Sequence, residues 1–513
     1  MRTSFPTEQG KPFKAPPQLV SRGGILRVRL VADETAVRVG GRRVIGRAYN
    51  HLFPGPTLRL SPGDTLRLTL VNRLRVPTNM HFHGMHVSPS ARSDNVLRTV
   101  GPGTTAQYVV HVPLDAPPGT YWYHSHWHDA PIGDVEPQVM GGLSGAMIVD
   151  GLKRRLPASL RNIVERNLVL KDVQLTTRDR IVFRNINSDA PTTRTVNGQV
   201  DPVMRIGPGE TQLWRLGNQS ADIWYRLGLD GTRFHVIAED ANPVGRVWSA
   251  STLLLPPGKR YDVLVQGHGG GDYRLRTLKL NTGPAGDKYP ARVLATVRPN
   301  RPALERAALP TSLGPLPDLE HMSVDRRRTL VFSENAKTNQ FFINGRQFNH
   351  DRIDQRVKLG AVEEWTIRNT SRERHPFHIH VNDFQVMSVN GRPYDARSLA
   401  DTFPLPVGGK IVIRMHFTDF TGEFVYHCHI LAHEDHGMMG TVKVEGPTPS
   451  GPGHHATETT RRNFPGHIQG RATPRGPAAN RVPGHRADVG LSPQSDKKPP
   501  TLRPDRDARD RPR

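Results

Sequence analysis

One cysteine, Cys428, stands among 513 residues, so no intrachain disulfide can form. No apolar run approaches the length of a membrane-crossing helix, which excludes a helical span. The stretch Met1–Val20 holds neither an apolar core nor paired arginines, so no signal peptide is visible and localisation is left open. Aromatics make up only 6% of the chain, and no basic stretch is interleaved with stacking rings. A nucleic-acid partner is therefore not expected, even with a formal net charge of +23. That charge favours anionic surfaces in general and identifies no partner.

What is present begins with the neighbours of the lone thiol. Cys428 sits inside His427-Cys428-His429, with His433 five residues on and Met438 ten. Two histidines, a thiolate and a distant thioether make a blue-copper electron-transfer site. His375, in His375-Pro376-Phe377-His378-Ile379-His380, is the obvious second histidine. A chance histidine cluster is the bland alternative, and the intact spacing argues against it.

Strand geometry predicts a second metal site. Side chains alternate faces along a strand, so if Cys428 faces one metal, His427 and His429 face the other way. Three more pairs share this spacing: His81 and His83, His124 and His126, His378 and His380. Together they supply eight imidazoles, enough for three metal ions at two to three ligands each.

An internal repeat explains how the pairs meet. Ser61-Pro62-Gly63-Asp64-Thr65 running to Asn72 matches Gly207-Pro208-Gly209-Glu210-Thr211 running to Asn218. A third copy runs from Leu359-Gly360 to Asn369. Nine residues beyond each asparagine stand His81, Leu227 and His378. Five residues beyond Gly119, Gly271 and Gly422 stand His124, Arg276 and His427. The first and third copies thus hold equivalent ligands and the middle copy none. The first-copy counterparts of His375, Cys428 and His433 are Thr78, Ser125 and Ala130, so one blue site is expected, in the third copy alone.

Abundant glycine (48) and proline (45), with short β-branched runs between Pro-Gly turns, indicate β-sandwiches. The expected fold is all-β: three consecutive cupredoxin-like Greek-key sandwiches at 20–153, 160–300 and 318–446. The middle domain reads as a spacer that fixes the docking of the outer two. Residues 447–513 carry thirteen Lys/Arg, six Asp/Glu and one aromatic, a composition that predicts a disordered basic tail.

At these motifs the chain resembles the multicopper oxidases, specifically three-domain bacterial laccase-like members. The signatures are His81-Phe82-His83-Gly84, His124-Ser125-His126, His375 to His380, and His427-Cys428-His429 through Gly437-Met438, covering roughly residues 20–446. The resemblance implies four coppers per chain. His375, Cys428, His433 and Met438 would hold the type 1 copper, and His81 and His378 the type 2 copper. His83, His124, His126, His380, His427 and His429 would hold the type 3 pair. It further implies dioxygen as acceptor, a small reducing substrate, and electron passage from the Cys428 sulfur to the flanking histidines. A monomer is expected, and the resemblance points to an exported or cell-envelope protein.

Reduction of dioxygen to water consumes protons, and Asp94 and Glu434 are the candidate relays, with ordinary turn or surface carboxylates as the alternative. His86, His128 and His436 read as supporting or surface histidines. Phenols and aromatic amines are the leading substrates, and Cu(I) or Fe(II) the rivals. The 11 methionines form no methionine-rich run, which argues against a cuprous oxidase. A non-catalytic copper-binding or structural cupredoxin protein is the alternative of another class.

Overall fold

The structure is a computed structural model that describes residues 10–446, apart from 130–131, 184–189, 301 and 336. The predicted tail, 447–513, lies outside the described residues. The fold is the expected one, all-β, with three cupredoxin-like sandwiches in sequence.

Each sandwich packs two sheets, and one sheet of each holds four equivalent strands in the same order; its fifth, edge strand is Gln18–Val20 in the first but lies at the opposite edge, as Thr252–Leu255 and Thr402–Leu405, in the other two. In the first it runs Gln18–Val20, Thr57–Leu60, Ser144–Val149, Gly119–His124, His81–His83. In the second it runs Val203–Arg205, Arg292–Arg298, Tyr273–Thr277, Tyr225–Leu229, Thr252–Leu255. In the third it runs Gln355–Lys358, Met439–Glu445, Gly422–Cys428, His375–Ile379, Thr402–Leu405. A parallel pair joins equivalent strands in all three, Thr57–Leu60 with Ser144–Val149 in the first sandwich. Neighbours in the sheet that are distant in sequence are the mark of Greek-key winding. The opposing sheets alternate apolar and polar residues, as in Thr65–Asn72 and Lys410–His416, and bury Leu68, Trp214 and Trp365 at their centres.

The three repeat asparagines close the same turn three times. Asn72 donates to Val76 O and Val100 O at 2.9 Å and accepts from Leu74 N at 2.9 Å. Asn218 makes the same set with Ile223 O, Leu255 O and Ser220 N. Asn369 does so with Glu373 O, Pro406 O and Ser371 N. Each asparagine fixes where the chain leaves one sheet for the other, and so where the next strand begins.

That strand carries the first histidine pair. His81 lies opposite His124 and His378 opposite His427, an identical register in the outer sandwiches. In the middle sandwich Leu227 lies opposite Thr277, with Arg276 one place back. Counting nine from Asn218 therefore misses by one residue: Asn218 bonds the carbonyl five residues on, Ile223, where Asn72 and Asn369 bond the one four on, and Gly228 is the residue opposite Arg276.

Candidate metal centre

The strand pitch sends alternate side chains to opposite faces, and in the third sandwich it separates two sites. Cys428 turns inward with Met438, in the same buried cluster as Phe377 and Ile430. Its sulfur lies 3.5 Å from His375 Nδ1 and 3.7 Å from His433 Nδ1, and those two nitrogens are 3.2 Å apart. Met438 is tied to the site by its backbone, donating to His433 O and accepting from Cys428 N. The next methionine, Met439, packs elsewhere, with Val96, Phe348 and Val425. Ile430 N donates to the Cys428 sulfur at 3.5 Å. Of the three donors, His375 and Cys428 are 0% exposed and His433 is 9% exposed, so only His433 offers an edge to the surface.

The twin of this position in the first sandwich is filled by hydroxyls. Thr78 Oγ1 and Ser125 Oγ lie 3.1 Å apart and both donate to Gln138 Oε1 at 2.7 Å. Ala130, the third counterpart, lies outside the described residues.

On the other face, the eight paired histidines converge between the first and third sandwiches, all buried. His126 Nε2 and His380 Nε2 lie 3.3 and 3.2 Å from His427 Nε2. His83 Nδ1 lies 3.3 Å from His429 Nε2. The ring of His81 stacks on His380 at 3.8 Å, and His83 stacks on His378 at 3.9 Å.

These residues fit bound copper by a test independent of spacing. His81, His124 and His378 each engage Nδ1, with Asp94, Ser125 O and Asp401 O respectively. Each leaves a buried Nε2 with no partner among the described residues. An unsatisfied buried nitrogen costs about 1–3 kcal/mol, and a metal ion repays it. Burial pushes His81, His83, His124, His380, His427, His429 and His433 well below the usual imidazole range, and His126 and His375 to about 4 and 3. They are therefore neutral, the form that ligates. Burial likewise raises the Cys428 thiol, which gives up its proton only to a cation beside it.

Both predicted carboxylates sit at the cluster. Each oxygen of Asp94 is 3.0 Å from His81 Nδ1, and one accepts from Phe82 N. Glu434 lies 2.9 Å from His427 Nδ1 and 3.3 Å from His126 Nε2. Burial raises Asp94 to about 8 and Glu434 to about 7, so either holds or releases a proton near neutrality. Glu434 is aimed by the short helix Leu431–Asp435, which Asp435 anchors to the first sandwich by accepting from Val135 N and Glu136 N at 3.0 and 2.9 Å.

His86, His128 and His436 stand one layer out, bonded to Val381 O, Glu434 O and Ala432 O. Sequence spacing did not single out Asp401, whose Oδ1 is 3.1 Å from His83 Nε2, nor the pair Glu334 and Glu373. Glu373 Oε1 is 3.3 Å from His433 Nε2, and Glu334 Oε2 is 3.6 Å from His375 Nε2. No motif marks these carboxylates, because each meets its histidine only in the folded chain.

Comparison with known proteins gives three matches to family profiles, each described as multicopper oxidase, over residues 31–154, 170–296 and 321–447. A multicopper oxidase of Staphylococcus aureus is 28% identical, over 77% of this chain and 83% of that protein. The cell division protein FtsP of Edwardsiella tarda is 30% identical, over 84% of this chain and 92% of that protein. Among solved structures, a multicopper oxidase from Campylobacter jejuni, described as a metallo-oxidase, superposes with a TM-score of 0.75 at 27% identity. It covers 85% of this chain and 96% of its own.

Proposed function

The chain belongs to the multicopper oxidase family and is a copper-dependent oxidoreductase; from that premise we propose that it couples one-electron oxidation of phenols and aromatic amines to reduction of dioxygen to water, with four coppers bound by the twelve residues assigned above. The observation that carries this reading is the convergence of eight buried histidines from two sandwiches beside one thiolate site.

His375, Cys428, His433 and Met438 would hold the type 1 copper, His81 and His378 the type 2 copper, and the other six histidines the type 3 pair. When bound, copper supplies one-electron transfer at the thiolate site and dioxygen reduction at the cluster. The protein supplies the rest. Phe341 stacks on the His433 ring at 4.0 Å, which leaves that ring's exposed edge as the place where a donor meets the site. Cys428 is covalently continuous with His427 and His429, so only backbone separates the sulfur from two cluster imidazoles. Burial keeps bulk water from the cluster, and Glu434 and Asp94 hold protons within 3.0 Å of its histidines.

A second reading has one observation in its favour. The carboxyls of Glu373 and Glu334 stand beside the outer nitrogens of His433 and His375, a setting that suits a cationic donor such as Cu(I) or Fe(II). A purely structural role leaves twelve metal-competent side chains without purpose.

Metal analysis of purified protein should return four coppers and a blue absorption band. Turnover of a panel of phenols, bilirubin, Cu(I) and Fe(II) then separates the substrate readings. Faster turnover of the metal ions than of every phenol would overturn the first, and one copper with an intact blue band would remove the cluster.

A further inference from the structure

The middle sandwich supplies no ligand, yet it reaches the cluster. We propose that Arg260 is a positioning residue for the trinuclear site, acting through Asp401, an inference that rests on His83 and His378 being copper ligands.

Asp401 serves one ligand from each outer sandwich. Its Oδ1 faces His83 Nε2 at 3.1 Å, which leaves His83 Nδ1 directed at His429. Its main-chain oxygen accepts from His378 Nδ1 at 2.8 Å, which leaves the unpartnered Nε2 facing the cluster. A carboxylate that orients a ligating histidine must itself be held. Arg260 holds it with both prongs of the guanidinium, Nη1 to Oδ1 at 2.7 Å and Nη2 to Oδ2 at 2.6 Å. Its Nε donates to Thr120 O at 3.1 Å, on the strand that bears His124. One side chain therefore binds the His124 strand of the first sandwich and the Asp401 carboxylate of the third.

The neighbours of Arg260 fix the backbone of the same residue. Asp240 Oδ2 accepts from Asp401 N and Thr402 N at 3.3 and 3.2 Å, and Lys259 donates to Asp240 Oδ2 and Thr402 O at 2.9 Å. Gly258 lies against the His429 ring: a Cβ built there meets Cδ2 at 2.9 Å, and its φ is +85°. The segment from Gly258 to Arg260 thus touches the cluster's surroundings from below.

Register sets this arginine apart from its repeat equivalents. Arg260 pairs with Gly217, the residue before Asn218, and Thr105 and Lys410 hold the same place before Asn72 and Asn369. Thr105 and Lys410 are exposed, whereas Arg260 is 1% exposed. Replacing a buried ion pair by apolar groups is often neutral for stability, so packing alone does not call for this fork.

The test compares wild type with Arg260→Lys, which keeps the charge but cannot grip both oxygens, and with Arg260→Met/Asp401→Asn, which removes both charges. Circular dichroism and the blue band report the fold and the type 1 site. Chelator competition and the type 2 electron paramagnetic resonance signal report the cluster. The expected result is a normal fold and blue band, cluster copper held about 10–100-fold more weakly, and an altered type 2 signal in both variants. Full cluster occupancy with an unchanged signal overturns the proposal. Failure of both variants to fold also overturns it, by assigning Arg260 to interface stability alone. Wild-type protein that binds only one copper defeats the ligand assignment itself, and this inference with it.

Discussion

Cys428 is flanked on both sides by cluster histidines, and this adjacency makes it separable from them by mutation. In Cys428→Ser the soft donor is gone while His427 and His429 keep their backbone and their partners. The blue band and oxidation of organic substrates should vanish, with cluster copper largely retained in metal analysis. Sustained turnover would mean that electrons reach the cluster by another route. Glu434→Gln tests the opposite function. Glutamine keeps the size and the contacts near His427 and His126 but cannot deliver a proton. Stopped-flow reoxidation by dioxygen should slow by about 10²-fold or more, with reduction by substrate and copper content unchanged. Reoxidation at the wild-type rate would return Glu434 to the rank of a buried spectator.

At the level of strands and turns, the sequence was legible wherever a rule acts locally. Period-two alternation predicts that His81 and His83 share a face, and the recurrence of Asn72, Asn218 and Asn369 predicts three copies of one turn. Both hold in the structure. The middle sandwich shows the limit, since one extra residue in the turn after Asn218 defeats counting from an asparagine. Asp401 and Arg260 lie deeper than any such rule. They belong to different sandwiches, follow no fixed interval from a ligand, and become partners only when three domains pack. The asparagine turn can be probed free of metal effects in the middle sandwich. Asn218→Ala strands two carbonyls and one amide in a buried turn, which should cost about 3 kcal/mol. A lower thermal midpoint with unchanged copper per folded chain is the expected outcome, and an unchanged midpoint would show the turn to be held by packing alone.

For the whole chain, every assigned ligand precedes residue 439, so deletion of 447–513 should leave copper content and phenol turnover near wild type. Loss of either would assign the tail a place against the folded part. The histidines that meet at the cluster impose a different constraint. His126 and His427 are 301 residues apart in sequence. An ion gripped by both acts as a staple across most of the polypeptide, and closing so long a loop removes several kcal/mol of freedom from the unfolded chain. Stripping copper should therefore lower the melting temperature of the entire protein, and restoring it should raise that temperature in proportion to the logarithm of free metal. A melting curve indifferent to chelation would mean that the sandwiches hold together unaided. The same separation dictates an order of manufacture. The first four histidines leave the ribosome some three hundred residues before their partners, so the cluster cannot close until synthesis of the third sandwich is complete. An ion that needs ligands from both ends of this span can complete its coordination only once both outer sandwiches exist.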